Sequence, residues 1–208
     1  MNVKQDASGG AARELVLASS SPRRRELIRL LGIELPIRIV SSDADETIEP
    51  GWTAAFAVET LALRKARAVR DALGAAAEGA VIVGADTIVV LDGEPLGKPR
   101  DEADARRMLA MLQGRTHEVV TGVAVVDGGG RKETTGSRVT VVRMKRLDPE
   151  RIARYVATGE PLDKAGAYGI QGSAASFVDH IEGCYFNIVG LPLALLADLL
   201  AGHGVRTI

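Results

Sequence analysis

Apolar and polar positions along the chain repeatedly change period. The short apolar run ELVLA (14–18) has strand character, and behind it Leu27, Leu30 and Leu31 recur at helical spacing after Ser21, a capping residue, and Pro22, which suits a first helical position. LPIRIV (35–40) reads as another strand, and residues 53–73, rich in Ala and Leu, as a helix. AVIVGADTIVVL (80–91) reads as two strand-like runs around Gly84 to Asp86, with Asp92-Gly93 as the turn behind them. DEADARRMLAMLQG (101–114) starts on acids and stops at a glycine, the polarity that a helix dipole favours. HEVVTGVAVVDGGG and RVTVVRMK form a hairpin pair, DPERIARYVATG a short helix, and LPLALLADLLAGHG an apolar closing helix. Alternating strands and helices plus a hairpin predict an α/β fold with a mixed sheet.

Composition narrows the picture. A chain of 208 residues with 46% hydrophobic positions can bury a real core, as one moderate domain or as two lobes sharing it. The expected division is a loose tail over residues 1–13 and one domain over 14–208. A formal net charge of −1 argues against a surface built for nucleic acid or anionic membrane, so any anion site must be local. Cys184 is the single cysteine, which excludes an internal disulfide and a cysteine-based zinc site. No apolar run approaches the roughly 18 residues needed to span a bilayer, and the first residues lack a signal-peptide core, so a cytoplasmic location is expected.

The chemistry-bearing positions change the picture more. The stretch LASSSPRRREL places Arg23, Arg24 and Arg25 at a helix start, the end that already carries partial positive charge. Either the arginines fan into water beside Glu26, or an anion sits on the turn with N–H groups, serine hydroxyls and guanidinium groups aimed at it. Asp86 interrupts an apolar run, where an unpartnered carboxylate costs several kcal/mol; it is paired, bound to a cation, a turn cap, or at an exposed strand junction. Gly84 beside it admits a ligand or unusual backbone angles. SSDADETIEPG (41–51) holds Asp43, Asp45, Glu46 and Glu49, solvated acids or oxygen donors suited to magnesium or manganese. His117, His180 and His203 have no ligand spacing, and His117 reads as structural. Lys98 in PLGKPRD lies in a Pro-bounded loop, and Lys164 in PLDKAGAYGIQG precedes glycines 166, 169 and 172, which suit a phosphate or simply a tight turn. There is no Walker-type or dinucleotide run. Together these residues describe a phosphate chain with its metal, and hence a metal-assisted phosphate-ester or anhydride hydrolase.

LASSSPRRREL, VGADTIVVLDGEPLGKPRD and DKAGAYGIQG, in that order and at these separations, resemble the Maf family of nucleoside triphosphate pyrophosphatases over about Leu15 to Leu200. The resemblance implies cleavage between the α and β phosphates with a divalent metal, magnesium or manganese. It also implies a two-lobed α/β fold around an extended mixed sheet, with the site in the cleft and a homodimer as the family's assembly. Carried over by position, Ser19, Arg23 and Arg24 contact the triphosphate, Lys65 in LALRKA matches a family lysine on the helix of residues 53–73 and is a further substrate contact, and Lys98 and Lys164 hold phosphates. Asp86 is the catalytic acid and, with Glu46, a metal ligand; Glu46 is preferred to Asp45 by its spacing before the helix. Arg23, Thr87 and Gln171 match positions that tune base selection. The DKAGAYGIQG form resembles the subgroup acting on dTTP and UTP, and a glutamine amide suits O4 and N3–H of a pyrimidine. The competing readings are a 7-methyl-GTP enzyme of the sister subgroup and a non-enzymatic regulator of septum formation. A nucleic-acid binder ranks last, because aromatics are only 3% of the chain and base stacking needs them.

Overall fold

A computed structural model describes residues 12–208. The expected tail therefore falls almost wholly outside the described residues; Arg13, at its end, donates its backbone N–H to Gly79 O at 2.8 Å. Strand β1 (Glu14–Ala18) leads through helix α1 (Pro22–Arg29) to β2 (Ile37–Val40), and α2 (Ala54–Leu73) leads to the long β3 (Ala80–Leu91). A tight turn at Asp92 and Gly93, with φ of 54° and 85°, returns the chain into β4 (Glu94–Leu96). Then come α3 (Glu102–Leu112), the hairpin β5 (Thr116–Asp127) with β6 (Glu133–Met144), and α4 (Pro149–Val156). The last elements are β7 (Val178–Glu182), α5 (Tyr185–Val189) and α6 (Leu193–Gly202).

The strands form one mixed seven-stranded sheet in the order β2-β1-β3-β5-β6-β7, with β4 on the free stretch of β3. β1 pairs in parallel with β2 and β3, while the β5–β6 hairpin is antiparallel, as the mix of crossovers and hairpins requires. One expectation is corrected. The two runs around Gly84 to Asp86 are a single twelve-residue strand, because β5 pairs with it without a break from Val81 to Val90. β7 and α5 were not legible as separate elements: β7 is a five-residue strand with no alternation, and α5 is a single turn.

Period-two alternation splits β3 between two surfaces. Ile82, Gly84, Asp86, Ile88 and Val90 face α2, while Val81, Val83, Ala85, Thr87, Val89 and Leu91 face the other way. The second surface carries two cores. Val81, Val83 and Ala85 pack with α1 and α6 through Leu27, Ile28 and Leu196; Val89 and Leu91 pack with α3 and α4 through Leu109, Leu112 and Val156. Thr87 and its cross-strand partner Thr121 lie between those cores. A polar seam thus crosses the sheet where the two packed halves meet. Among the described residues no helix is long and apolar enough to cross a membrane.

Candidate active site

The cleft opens at that seam because β3 changes partners there. β1 pairs with it through Gly84, β4 from Val89 onward, and Ala85 to Ile88 keep one edge free. Asp86 and Thr87 therefore both reach one cavity of about 580 Å³ although they stand on opposite faces of the sheet.

Close packing of α2 builds the Asp86 side. A Cβ on Gly84 would lie 2.1 Å from Ala62 O, and one on Gly122 would lie 2.3 Å from the Val58 carbonyl carbon. Gly84 thus serves a helix seated on the sheet and not a ligand, which corrects the reading of that glycine. One turn beyond Ala62, Lys65 Nζ stands 2.6 Å from Asp86 Oδ1 and 2.6 Å from Glu46 Oε1. Asp86 is 9% exposed, so its ion pair is what makes its burial tolerable. The hydrogen bond from Lys65 holds the Glu46 carboxyl below its usual range; desolvation opposes this, and the charges of Lys65, Lys98 and Arg24 reinforce it. Asp45 turns elsewhere, accepting from Thr47 N at 2.9 Å and lying 3.6 Å from Arg64 Nη1.

The opposite side is made by the start of α1. Ser21 caps it, accepting weakly from Arg24 N at 3.5 Å, and the buried Ser19 Oγ accepts from Ser21 N at 3.2 Å. Arg23 and Arg24 line the cleft, whereas Arg25 does not. Arg24 Nε donates to Gly190 O at 2.7 Å and Nη2 to Thr87 Oγ1 at 3.0 Å. Burial, the largest influence, lowers the pKa of its guanidinium; Arg23 adds to this, while Asp86 and Glu46 oppose it. Among the described residues Arg24 makes no ion pair. A half-buried cation served only by neutral acceptors still has charge to offer an anion.

The third wall is the loop after α4. Lys164 Nζ donates to Glu160 O at 2.5 Å and to Asp163 Oδ1 at 2.6 Å. Asp163 also lies 3.8 Å from Arg23 Nη1. The glycines here accommodate side chains: a Cβ on Gly169 would meet Lys164 Cε at 2.6 Å, and one on Gly172 the Glu160 carboxylate at 2.1 Å. The glycine pattern is thus the mark of a tightly folded loop. Lys98 is exposed and, among the described residues, unpaired, and Gln171 is exposed at the rim.

All ten residues that the family resemblance assigns line this cavity, Ser19, Arg23 and Arg24; Glu46 and Lys65; Asp86 and Thr87; Lys98, Lys164 and Gln171, whereas Arg25, Asp43, Asp45 and Glu49 do not. Several were missed. Asp163 stood next to Lys164, but attention went to the lysine. Thr121 and Asn187 are both fully buried polar residues inside apolar runs, the same signal that picked out Asp86. His117 is structural, as expected: its Nε2 is 2.8 Å from Tyr168 Oη, and burial lowers its pKa to about 4.

The fold and the cleft define an α/β protein that gathers cations and three carboxylates around a pocket sized for a small polyanion. The chain belongs to the Maf family: a family model described as Maf-like protein matches residues 14–203. A relative from Pelotomaculum thermopropionicum, named dTTP/UTP pyrophosphatase, is 53% identical over 94% of this chain and 100% of its own length. One of the same name from Moorella thermoacetica is 54% identical over 92% of this chain and 96% of its own. A solved nucleoside-triphosphatase / dITP/XTP pyrophosphatase from Mycobacterium abscessus overlaps 64% of this chain and 75% of its own, with 23% identity and a TM-score of 0.39, too loose a likeness to bear on the site.

Proposed function

We propose that this chain hydrolyses dTTP and UTP to the nucleoside monophosphate and pyrophosphate, with residues 14–208 acting as one unit. The observation that carries the reading is Arg24, a half-buried guanidinium without a carboxylate partner among the described residues, facing the same cavity as the Lys65-bridged pair Asp86 and Glu46. The names of the two relatives above supply the substrates.

In this reading Arg23, Arg24, Lys98 and Lys164 hold the phosphate chain, and the Ser19 hydroxyl joins them at the turn. The Asp86 carboxylate takes a proton from water, whose oxygen then attacks the α phosphorus; the α–β bridging P–O bond breaks and pyrophosphate leaves. Lys65, 2.6 Å away, holds Asp86 in place. Thr87, Arg23 and Gln171 tune the choice of base.

Among the described residues no group of three or more His, Cys, Asp or Glu side chains is placed to hold a metal. Asp86 and Glu46 nevertheless share one cation already, the Lys65 ammonium. Two carboxylates completed by substrate phosphate oxygens fit magnesium or manganese, which bind in that manner beside nucleotides. When bound there, the ion would neutralise phosphate charge.

The test is pyrophosphate release with magnesium or manganese across dTTP, UTP, CTP, 7-methyl-GTP and the purine triphosphates. Preference for dTTP and UTP is expected. Turnover of 7-methyl-GTP alone would keep the chemistry and overturn the substrate, and silence from folded protein on every nucleotide would overturn the hydrolase.

A further inference from the structure

On the face of β3 away from Asp86 a polar chain runs inward from Arg24 and Thr87 to the fully buried Thr121 and Asn187, to which the hydrolase reading gives no task. Arg24 Nη2 donates to Thr87 Oγ1, Thr87 Oγ1 lies 2.9 Å from Thr121 Oγ1, and Thr121 Oγ1 donates to the backbone oxygen of Asn187 at 2.8 Å. The direction of every link follows from the last one. A carbonyl only accepts, so the single hydroxyl proton of Thr121 is spent on Asn187 O. Thr121 then has only lone pairs for Thr87, and Thr87 must donate to it. Thr87 in turn has only lone pairs left, which is what a guanidinium donor requires.

The far end of the chain is closed as well. Asn187 Nδ2 donates to Val119 O at 2.8 Å and to Thr140 Oγ1 at 3.0 Å. Thr140 Oγ1 donates to Cys184 O at 3.1 Å and accepts from Cys184 N at 3.0 Å, which completes its capacity. Thr121, Thr140 and Asn187 are all 0% exposed. Asn187 thereby pins α5, and Gly190, just beyond that helix, supplies the second acceptor of Arg24. Both neutral groups that hold the guanidinium depend on one anchored segment. Arg24 Nη1 has no hydrogen-bond partner among the described residues and is left for an anion in the cleft.

We propose that Thr121 is a positioning residue of the phosphate site: by taking the Thr87 proton, it turns a Thr87 lone pair towards Arg24 and so fixes the guanidinium for the phosphate chain. Without the Thr121 hydroxyl, the Thr87 proton has lost its acceptor, its rotor is free, and a donor can face a donor at Arg24. The inference rests on the reading of Arg24 as a phosphate contact.

The experiment compares Thr121→Val, which deletes the hydroxyl at nearly constant volume, with Thr121→Ser, which keeps it. For each, kcat and KM for UTP are measured separately, together with inhibition by inorganic tripolyphosphate, a probe with neither base nor sugar. Thr121→Val is expected to raise KM and the tripolyphosphate inhibition constant roughly tenfold, with kcat changed by less than about threefold and Thr121→Ser close to the parent. Unchanged KM and inhibition constant in Thr121→Val, or a loss confined to kcat or to thermal stability, overturns the proposal. Where Thr121→Val does not fold, Thr87→Val deletes the middle hydroxyl and is read on tripolyphosphate alone, since Thr87 also faces the base: a roughly tenfold rise in the inhibition constant is expected, and an unchanged constant overturns the proposal. Arg24→Ala separates the two levels. If it weakens tripolyphosphate and Thr121→Val does not, the relay alone is wrong; if it too leaves tripolyphosphate unaffected, the phosphate reading of Arg24 is wrong and the relay goes with it.

Discussion

Asp86 and Thr87 are adjacent in the chain, yet alternation places them on opposite faces of β3 and in unlike chemistry. The Asp86 face is ionic: Lys65 stands at 2.6 Å from both Asp86 and Glu46, held there by a helix that two glycines allow to sit against the sheet. The Thr87 face meets a half-buried cation with a hydroxyl and a carbonyl oxygen and no carboxylate ion pair among the described residues. The difference assigns the labour. A paired carboxylate beside a lysine can accept a proton and share a metal. A guanidinium with only neutral partners is, in the proposed reading, a fixed receptor whose counter-charge the substrate supplies. Four free-edged residues of one strand present both to the same cavity.

The sharpest way to break this division is Asp86→Asn. The amide keeps the shape and hydrogen-bond reach of the carboxylate but cannot take a proton, so turnover should fall by about 10²- to 10⁴-fold. Tripolyphosphate inhibition should persist, because the receptor face is untouched. Retained full turnover, measured by pyrophosphate release, would remove Asp86 from the chemistry.

Lys65→Met comes next and tests the coupling within the ionic face. Removing the ammonium strands a carboxylate that is 13% exposed in its side chain, so stability should drop by ~3 kcal/mol in denaturant melts. Turnover should fall on the order of 10²-fold as the charge beside the reacting atoms is lost. The pH dependence has a definite sign. Lys65, chiefly by its hydrogen bond, keeps the folded Glu46 below its ordinary pKa. Its contribution is therefore complete above that ordinary value and is lost as pH falls through the depressed one. Without Lys65 the Glu46 titration moves up, and the acid limb of kcat/KM should move up with it. An acid limb that stays in place would mean that Glu46 does not govern activity.

Much of this site was legible in the chain because its signals were local. A capping serine, proline and arginines mark the start of α1, and an acid inside an apolar run marks Asp86. What was not legible required register or approach. Nothing in AVIVGADTIVVL shows that β5 pairs with it without interruption, so one strand read as two runs. Gly84 read as room for a ligand or for unusual backbone angles because Ala62 O, which a Cβ there would approach to 2.1 Å, lies 22 residues earlier in the chain. Thr121 acquires its meaning only by standing opposite Thr87 in the β3–β5 register, and Asn187 only by lending it a carbonyl 66 residues away. The glycines of DKAGAYGIQG left phosphate and tight turn both open, and only their neighbours, Val89, the Lys164 stem and the Glu160 carboxylate, show the tight turn. Local residue types announce chemistry, whereas the partners that orient it are set by pairing across the sheet.

The smallest expected effect sharpens the boundary between the faces. Asp163 is the acid set among cations otherwise directed at phosphate, 2.6 Å from Lys164 Nζ and 3.8 Å from Arg23 Nη1. Burial tends to raise its pKa, but Lys164 and then Arg23 outweigh that and hold the carboxyl below its ordinary value, so it is charged when a nucleotide arrives. Its side chain is 68% exposed, and exposed pairs contribute about 0–1 kcal/mol, so Asp163→Asn should scarcely move the melting temperature. The consequence should appear in binding instead. With the carboxylate gone, Arg23 and Lys164 lose an internal competitor for phosphate, and tripolyphosphate should inhibit at about two- to fivefold lower concentration, an advantage that added salt erodes. Weaker inhibition, or a fall in kcat as deep as that of Asp86→Asn, would place Asp163 at the reacting atoms. Acid–base chemistry would then no longer belong to the Asp86 face alone, and a carboxylate on the far wall of the cleft would share it.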